Sequence, residues 1–161
     1  MFDEIPKDGL DPNALKVFKI YGLINYFFVL LPAPAFFIVS HFFGPFPQII
    51  GWLLAGITIA SAYPIIWMAP NISFERWRYE IKEHEIDIRK GLLIVRRTLI
   101  PIIRIQHVET TQGPILKRYN LSSLSVSTAA RAHSIPALRT DIATGLKIQI
   151  SNLARLSEED V

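Results

Sequence analysis

IYGLINYFFVLLPAPAFFIVSHFFGPFPQIIGWLLAGITIASAYPIIWMAPNISF, residues 20–74, contains no Asp, Glu, Lys or Arg. This run of 55 residues decides the architecture, because all 17 basic and all 14 acidic side chains of the 161-residue chain lie in its flanks. A bilayer hydrocarbon core about 30 Å thick is crossed by roughly 20 apolar residues in a helix. The run is too long for one span and right for two. Gly44-Pro45-Phe46-Pro47 interrupts it with residues that end helices and make turns, which predicts spans over 20–43 and 48–69. At 1.5 Å per residue these reach about 36 and 33 Å, enough to cross with some tilt. The expectation is a transmembrane helical hairpin within residues 20–71, preceded by an N-terminal segment, 1–19.

The flanks orient the hairpin. Asp3, Glu4 and Asp8 make the N-terminus acidic, and no small-residue cleavage site ends the first apolar run, so that run reads as a permanent span and not a signal peptide. Lys16 and Lys19 precede the first span and Arg76 and Arg78 follow the second, while the connecting loop has no Lys or Arg. By the positive-inside rule both termini are expected in the cytoplasm. Asp11-Pro12 is a helix start signal, and Leu15, Phe18 and Tyr21 at helical spacing suggest an interfacial lead-in whose apolar face lies on the membrane. Pro32, Pro34 and Pro64 should kink or open the helices. Gly56 and Ala60 form a small-x-x-x-small pair, a contact face for the hairpin itself or for a partner helix. Asn25 and Ser40 are uncharged and His41 sits at the interface, so nothing in the spans marks a proton relay or ion path.

From Glu75 onward the pattern changes to period two over 87 residues, enough for a small core. Trp77, Tyr79 and Ile81 alternate with charged residues; Ile86 and Ile88 follow a polar Glu83-His84 turn; Lys90-Gly91 turns into a strand from Leu92 to Ile100. Ile103, Ile105 and Val108, then Leu124, Val126 and Thr128, continue the alternation, and Ser134 to Leu138 suggests another short strand. Gly113-Pro114 opens one or two helical turns. After Thr140 as N-cap, Ile142, Leu146, Ile150, Leu153 and Leu156 share one face of an amphipathic helix that closes a barrel or covers a sheet. Residues 158–161 read as a fraying acidic tail.

These segments carry a resemblance. Arg78-Tyr79-Glu80-Ile81, Ile86-Asp87-Ile88-Arg89-Lys90-Gly91-Leu92-Leu93, Ile100-Pro101-Ile102-Ile103-Arg104-Ile105-Gln106-His107-Val108, Gln112-Gly113-Pro114-Ile115-Leu116-Lys117-Arg118-Tyr119-Asn120-Leu121, Val126-Ser127-Thr128-Ala129 and His133-Ser134-Ile135-Pro136-Ala137-Leu138 occur in unbroken order. Together they resemble the YdbS-type bacterial pleckstrin-homology-like (PH-like) family. The resemblance implies an α+β membrane protein in which a two-helix hairpin is followed, over 72–157, by a PH-like antiparallel β-barrel with a C-terminal capping helix. It also implies the bacterial cytoplasmic membrane. Ala130-Arg131-Ala132 departs from the family pattern, where a glycine pair is common, and puts the shape of the last hairpin in question.

The chemistry of the sequence points to binding. The chain has no Cys, which excludes disulfides, thiolate metal sites and a cysteine nucleophile. Its four histidines, His41, His84, His107 and His133, have no metal-ligand spacing, and no carboxylate pair, nucleophile elbow or phosphate loop appears. No catalytic, cofactor or metal site is expected, and an enzyme would need unrecognised parts. After residue 74, 14 basic residues face 10 acidic ones, three of them in the tail. Arg89, Lys90, Arg96, Arg97, Arg104, Lys117, Arg118 and Arg131 are candidates for contact with anionic headgroups or a partner, or form a solvated positive face. PH-like barrels commonly dock proteins, so the first expectation is an accessory or assembly subunit of a membrane protein complex, and the second a sensor of anionic phospholipid. Membrane lipids and another integral membrane protein are the expected partners; nucleic acid is not, since the basic strands lack aromatic interleaving.

Overall fold

The computed structural model describes residues 6–44 and 47–159, in two compact units: Phe18–Asn71, and a unit that joins the segment ending at Val17 to the chain from Ile72 onward. Pro45 and Phe46 of the predicted turn, the acidic Asp3 and Glu4, and Asp160 and Val161 of the predicted tail lie outside the described residues.

The apolar run forms helices α1 (Pro12–Leu30), α2 (Pro32–Phe43) and α3 (Gln48–Tyr63), a π-helical segment (Pro64–Met68) and α4 (Ala69–Arg76). Two stretches, Pro12–Phe42 and Gln48–Arg76, are long and apolar enough to cross a bilayer. Each proline acts by removing a donor. At Pro32 the interruption lasts one residue: Leu31 keeps helical angles and its carbonyl accepts from the Ala35 amide at 3.1 Å. At Pro64 the ladder widens, and the Ala69 amide donates to the Pro64 carbonyl five residues back. The helices of this unit meet through small residues and one polar bond. A Cβ on Gly51 would lie 2.7 Å from the Phe37 ring, and one on Gly22 2.9 Å from the Ile65 carbonyl. Tyr26 donates its hydroxyl hydrogen to the Thr58 carbonyl at 2.9 Å, while the Thr58 hydroxyl donates to Leu54. Lys19 sits over the Trp67 ring at 4.2 Å.

The second unit holds two antiparallel sheets. The first has the order β1 (Asp8–Gly9), β2 (Arg78–Ile81), β3 (Glu85–Lys90), β4 (Arg96–Pro101); the second has β5 (Ile105–Thr111), β6 (Leu121–Thr128), β7 (Ala132–Arg139). Between β5 and β6 stands the short helix α5 (Pro114–Arg118), and the chain ends in α6 (Thr140–Glu159). Ile86, Ile88, Ile100, Leu121, Leu124, Val126, Ile135 and Ile150 form the core. Gln112 acts as a clamp at one end of the second sheet, its side-chain amide donating to the Leu121 carbonyl at 2.8 Å and the Thr140 hydroxyl at 3.1 Å.

The structure corrects the expectation of a closed barrel. β4 and β5 do not pair, so two sheets face a shared core with an open seam. The cause is local: a 3-10 turn, Ile102–Arg104, follows β4 directly, and fully buried Ile102 carries the chain from one sheet to the other without a pleat to extend the ladder. Within the turn Ile103 is exposed, so its expected place in a strand alternation does not hold. Helix α6 packs against this turn and β5. Of its expected face Ile150 is fully buried and Leu146 and Leu153 half-buried, whereas Ile142 and Leu156 are exposed and Ala143 is buried instead, so the packed face is turned partway toward Ala143.

Two further differences bear on function. The expected strand from Leu92 begins only at Arg96, and Gly91–Val95 is a loop. Gly91 has φ 151°, and a Cβ there would fall 2.0 Å from the Ile94 carbonyl, so only glycine permits this tight reversal. The expected helical lead-in begins at Pro12 and is continuous with the first span. Before it, Asp8 and Gly9 pair with Tyr79 and Arg78 as an added strand that the sequence does not predict, and Leu10, Ala14 and Val17 are buried. Burial, then the Asp8 charge, push the Tyr79 phenol up. The glycine-free turn Ala129–Arg131 closes regularly, with the Thr128 amide donating to the Arg131 carbonyl at 3.0 Å.

Candidate functional site

The register of the first sheet collects most of its cations at one end. Arg78 lies opposite both Gly9 and Arg89, Arg89 opposite Arg97, and Lys90 opposite Arg96. This is also the end at which α4 delivers the chain from the second span into β2, through Arg76 and Trp77. Lys90 stands 5.4 Å from the Trp77 ring centroid, and a cation near an indole face is stabilised by the ring quadrupole. Arg96 is exposed; Arg89 is half-buried, and its Nε lacks a hydrogen-bond partner.

Arg97 has a different employment. Its guanidinium holds the fully buried Asp87 carboxylate, with Nε 3.0 Å from Oδ2 and Nη2 2.6 Å from the same oxygen. Such a fork satisfies a charge that would otherwise be costly to bury. Arg97 thereby serves the core of the first sheet.

At the open seam lies a groove of about 1060 Å³, lined among others by Thr98, Leu99, Ile103, Arg104, Arg131 and His133. Among the described residues it has three basic side chains and no carboxylate in its lining. Burial, then the charges of Lys90 and Arg131, push the His133 imidazole below its ordinary value. The seam thus brings Arg104 and Arg131 together, with His133 held toward its neutral form. Lys117 and Arg118, by contrast, sit on α5 at the end of the second sheet opposite the Ala129–Arg131 turn. The eight candidate cations therefore divide into the β3–β4 end, the seam and α5.

In the hairpin unit, Gly56 and Ala60 are both exposed, and a Cβ on Gly56 would meet nothing within 4 Å. The close approaches there use Gly22 and Gly51 instead. Sequence reasoning passed over His133, whose alternation pattern is that of an ordinary strand residue. It placed Leu92, Leu93 and Ile94 in a strand, because their apolar character reads as strand core. The one available signal was Lys90-Gly91, a turn pair directly before them. Among the described residues no three His, Asp or Glu side chains gather as a metal site.

Comparison with known proteins agrees with this architecture. The bacterial PH domain family matches residues 27–154, a region that starts inside the first span. The UPF0699 transmembrane protein YdbS of Bacillus subtilis is 40% identical over 158 residues, covering 98% of this chain and 99% of that protein. The UPF0699 transmembrane protein YdbT of the same organism is 30% identical over 86 residues, which is 52% of this chain but only 17% of that longer protein. No solved structure matches the chain. Two apolar helices, two antiparallel sheets with a C-terminal helix, and near full-length similarity to a transmembrane relative place the chain in the bacterial PH domain family, as a YdbS-type membrane protein.

Proposed function

We propose that the protein is a non-enzymatic, membrane-anchored PH-like binding module that serves as an accessory or assembly subunit of a larger membrane protein complex, with both termini and the β-rich unit on the cytoplasmic side of a bacterial inner membrane. The observation that carries this reading is the open seam. β4 and β5 each end their sheet, and the groove between them is lined by residues of both. Unpaired strand edges are templates for an added extended segment, and a flanking groove supplies selectivity for its side chains. Arg104 and Arg131 favour a segment bearing acidic residues. The exposed Gly56 and Ala60 offer a second contact, to a partner's helix.

A photoreactive residue at Ile103, exposed in the groove, tests it in intact membranes. A discrete adduct with a second membrane protein, weakened by Arg104→Glu, is expected. Adducts with lipid alone, together with a partner-free monomer after gentle detergent extraction, would overturn the reading. Sensing of anionic headgroups is the second reading, favoured by Arg104 and Arg131 lining a groove without a carboxylate among the described residues.

A further inference from the structure

The β3–β4 loop is the most exposed apolar feature of the β-rich unit: Leu93 is 87% exposed and Ile94 74%. Large aliphatic side chains at a loop tip gain nothing from water, and surface patches of this kind mark contact sites. Three observations say what covers this one. First, position: the Arg76 guanidinium donates to the Leu92 carbonyl, and Arg76 is the last residue of α4, the helix that continues the second span. The loop is thereby tied to Arg76, the last residue of the second stretch long and apolar enough to cross a bilayer. Second, charge: the adjoining groove is lined by Ser73, Trp77, Lys90, Arg96 and the loop itself, with no acidic residue among those described. Third, the aromatic: Trp77, half-buried beneath Lys90, has the amphipathic character of residues at the headgroup level.

From these we infer that the Leu92–Ile94 loop inserts into the surface of the same membrane that anchors the chain, its apolar tip reaching the acyl boundary while Arg76, Lys90 and Arg96 contact anionic headgroups. The loop is a wedge that holds the β-rich unit against an anionic leaflet. Gly91 is what allows it: the tight reversal at φ 151° holds the tip outward, where an ordinary strand would have carried Leu92 and Ile94 into the sheet. This goes beyond the docking reading and does not depend on it, since lipid alone is the partner.

The absence of cysteine from the chain makes the test direct. Full-length Leu93→Cys, labelled with an environment-sensitive fluorophore, is reconstituted into vesicles of phosphatidylcholine or of phosphatidylcholine with phosphatidylglycerol, each containing lipids that carry a nitroxide quencher on the acyl chain. Leu93 is exposed, so the substitution leaves the fold intact, and Lys117→Cys on α5 is the control. The expected result is quenching at 93 in anionic vesicles about fivefold stronger than in neutral ones, little quenching at 117, and loss of the difference in Lys90→Gln/Arg96→Gln. A label at 93 that stays water-exposed in both lipids, or is quenched equally in both, would overturn the inference. Because these vesicles contain no protein partner, such a failure leaves the docking reading standing, and a failure of cross-linking at Ile103 leaves the wedge standing.

Discussion

The two units solve the same physical problem in opposite senses. In the hairpin unit Phe27, Phe28, Trp52 and Ile59 are all more than 60% exposed, and the polar groups turn inward, Tyr26 toward the Thr58 carbonyl. In the β-rich unit the aliphatic residues of the core, among them Ile86, Ile88, Leu124 and Ile135, are buried, and among the described residues the fully buried charge, Asp87, is held by Arg97. Each pattern is the low-energy one for its own solvent, hydrocarbon in the first case and water in the second. The Leu92–Ile94 loop follows the first pattern inside the second unit. That is why it reads as membrane contact and not as a packing fault.

The comparison breaks most readily at Asp87. Asp87→Ala leaves Arg97 half-buried without its fork, and removing one partner of a buried pair costs about 3–5 kcal/mol. The β-rich unit should lose this stability in urea titration of the detergent-solubilised protein, while the hairpin helices persist in circular dichroism. Asp141→Ala is the matched control. Asp141 pairs with Arg139 at the surface, and that guanidinium lowers its carboxyl to about 2. Solvent and salt screen such a pair, and no change in midpoint is expected near neutral pH. Equal losses from both substitutions would mean that burial does not distinguish the two ion pairs.

Two glycines sharpen the hairpin side. Gly51→Leu drives a side chain into the Phe36 and Phe37 rings, an overpacking that costs about 1–3 kcal/mol, read as weaker pairing of the two spans by energy transfer between labels. Gly56→Leu meets only lipid or a partner and should leave the pairing unchanged. If Gly56→Leu also reduces native assembly size, the small-residue face belongs to a partner helix; if it separates the spans, the face belongs to the hairpin itself.

Much of this was legible in the residues and some was not, for reasons that can be named. The uncharged run and its Gly-Pro break define a hairpin because span length is set by bilayer thickness, a constraint outside the chain. Strands at Ile86–Ile88 and Leu124–Val126 follow from alternation, which is local. The open seam depends on Ile102 turning into the core, a three-residue event that alternation continues straight through. The strand at Asp8–Gly9 pairs with residues about seventy positions away, beyond any periodicity argument. Leu92–Ile94 illustrates the sharper limit: an apolar run cannot say whether it faces a core or a membrane, and the decision rests on the backbone of Gly91. Among the candidate cations, charge alone could not separate Arg97, engaged with Asp87, from Arg96, exposed one residue earlier.

The smallest effect concerns protons. Burial, reinforced by Lys90 and Arg131, lowers the His133 pKa below its ordinary 6.5. Above that value the imidazole is neutral in folded and unfolded chains alike, and it contributes no pH dependence. As pH falls through 6.5 the unfolded chain takes up a proton that the native seam refuses, so stability declines until the native imidazole also protonates. The urea midpoint should therefore be lower at pH 5.5 than at pH 7.5, and His133→Gln should flatten that slope. Inorganic phosphate adds a second handle. An anion held between Arg104 and Arg131 offsets the charges that oppose protonation, so His133 should titrate higher in phosphate than in chloride at equal ionic strength, as followed by its NMR shift. A titration indifferent to phosphate would leave the seam cations without an anion to receive, and would shift the weight of that groove from charge to its free strand edges.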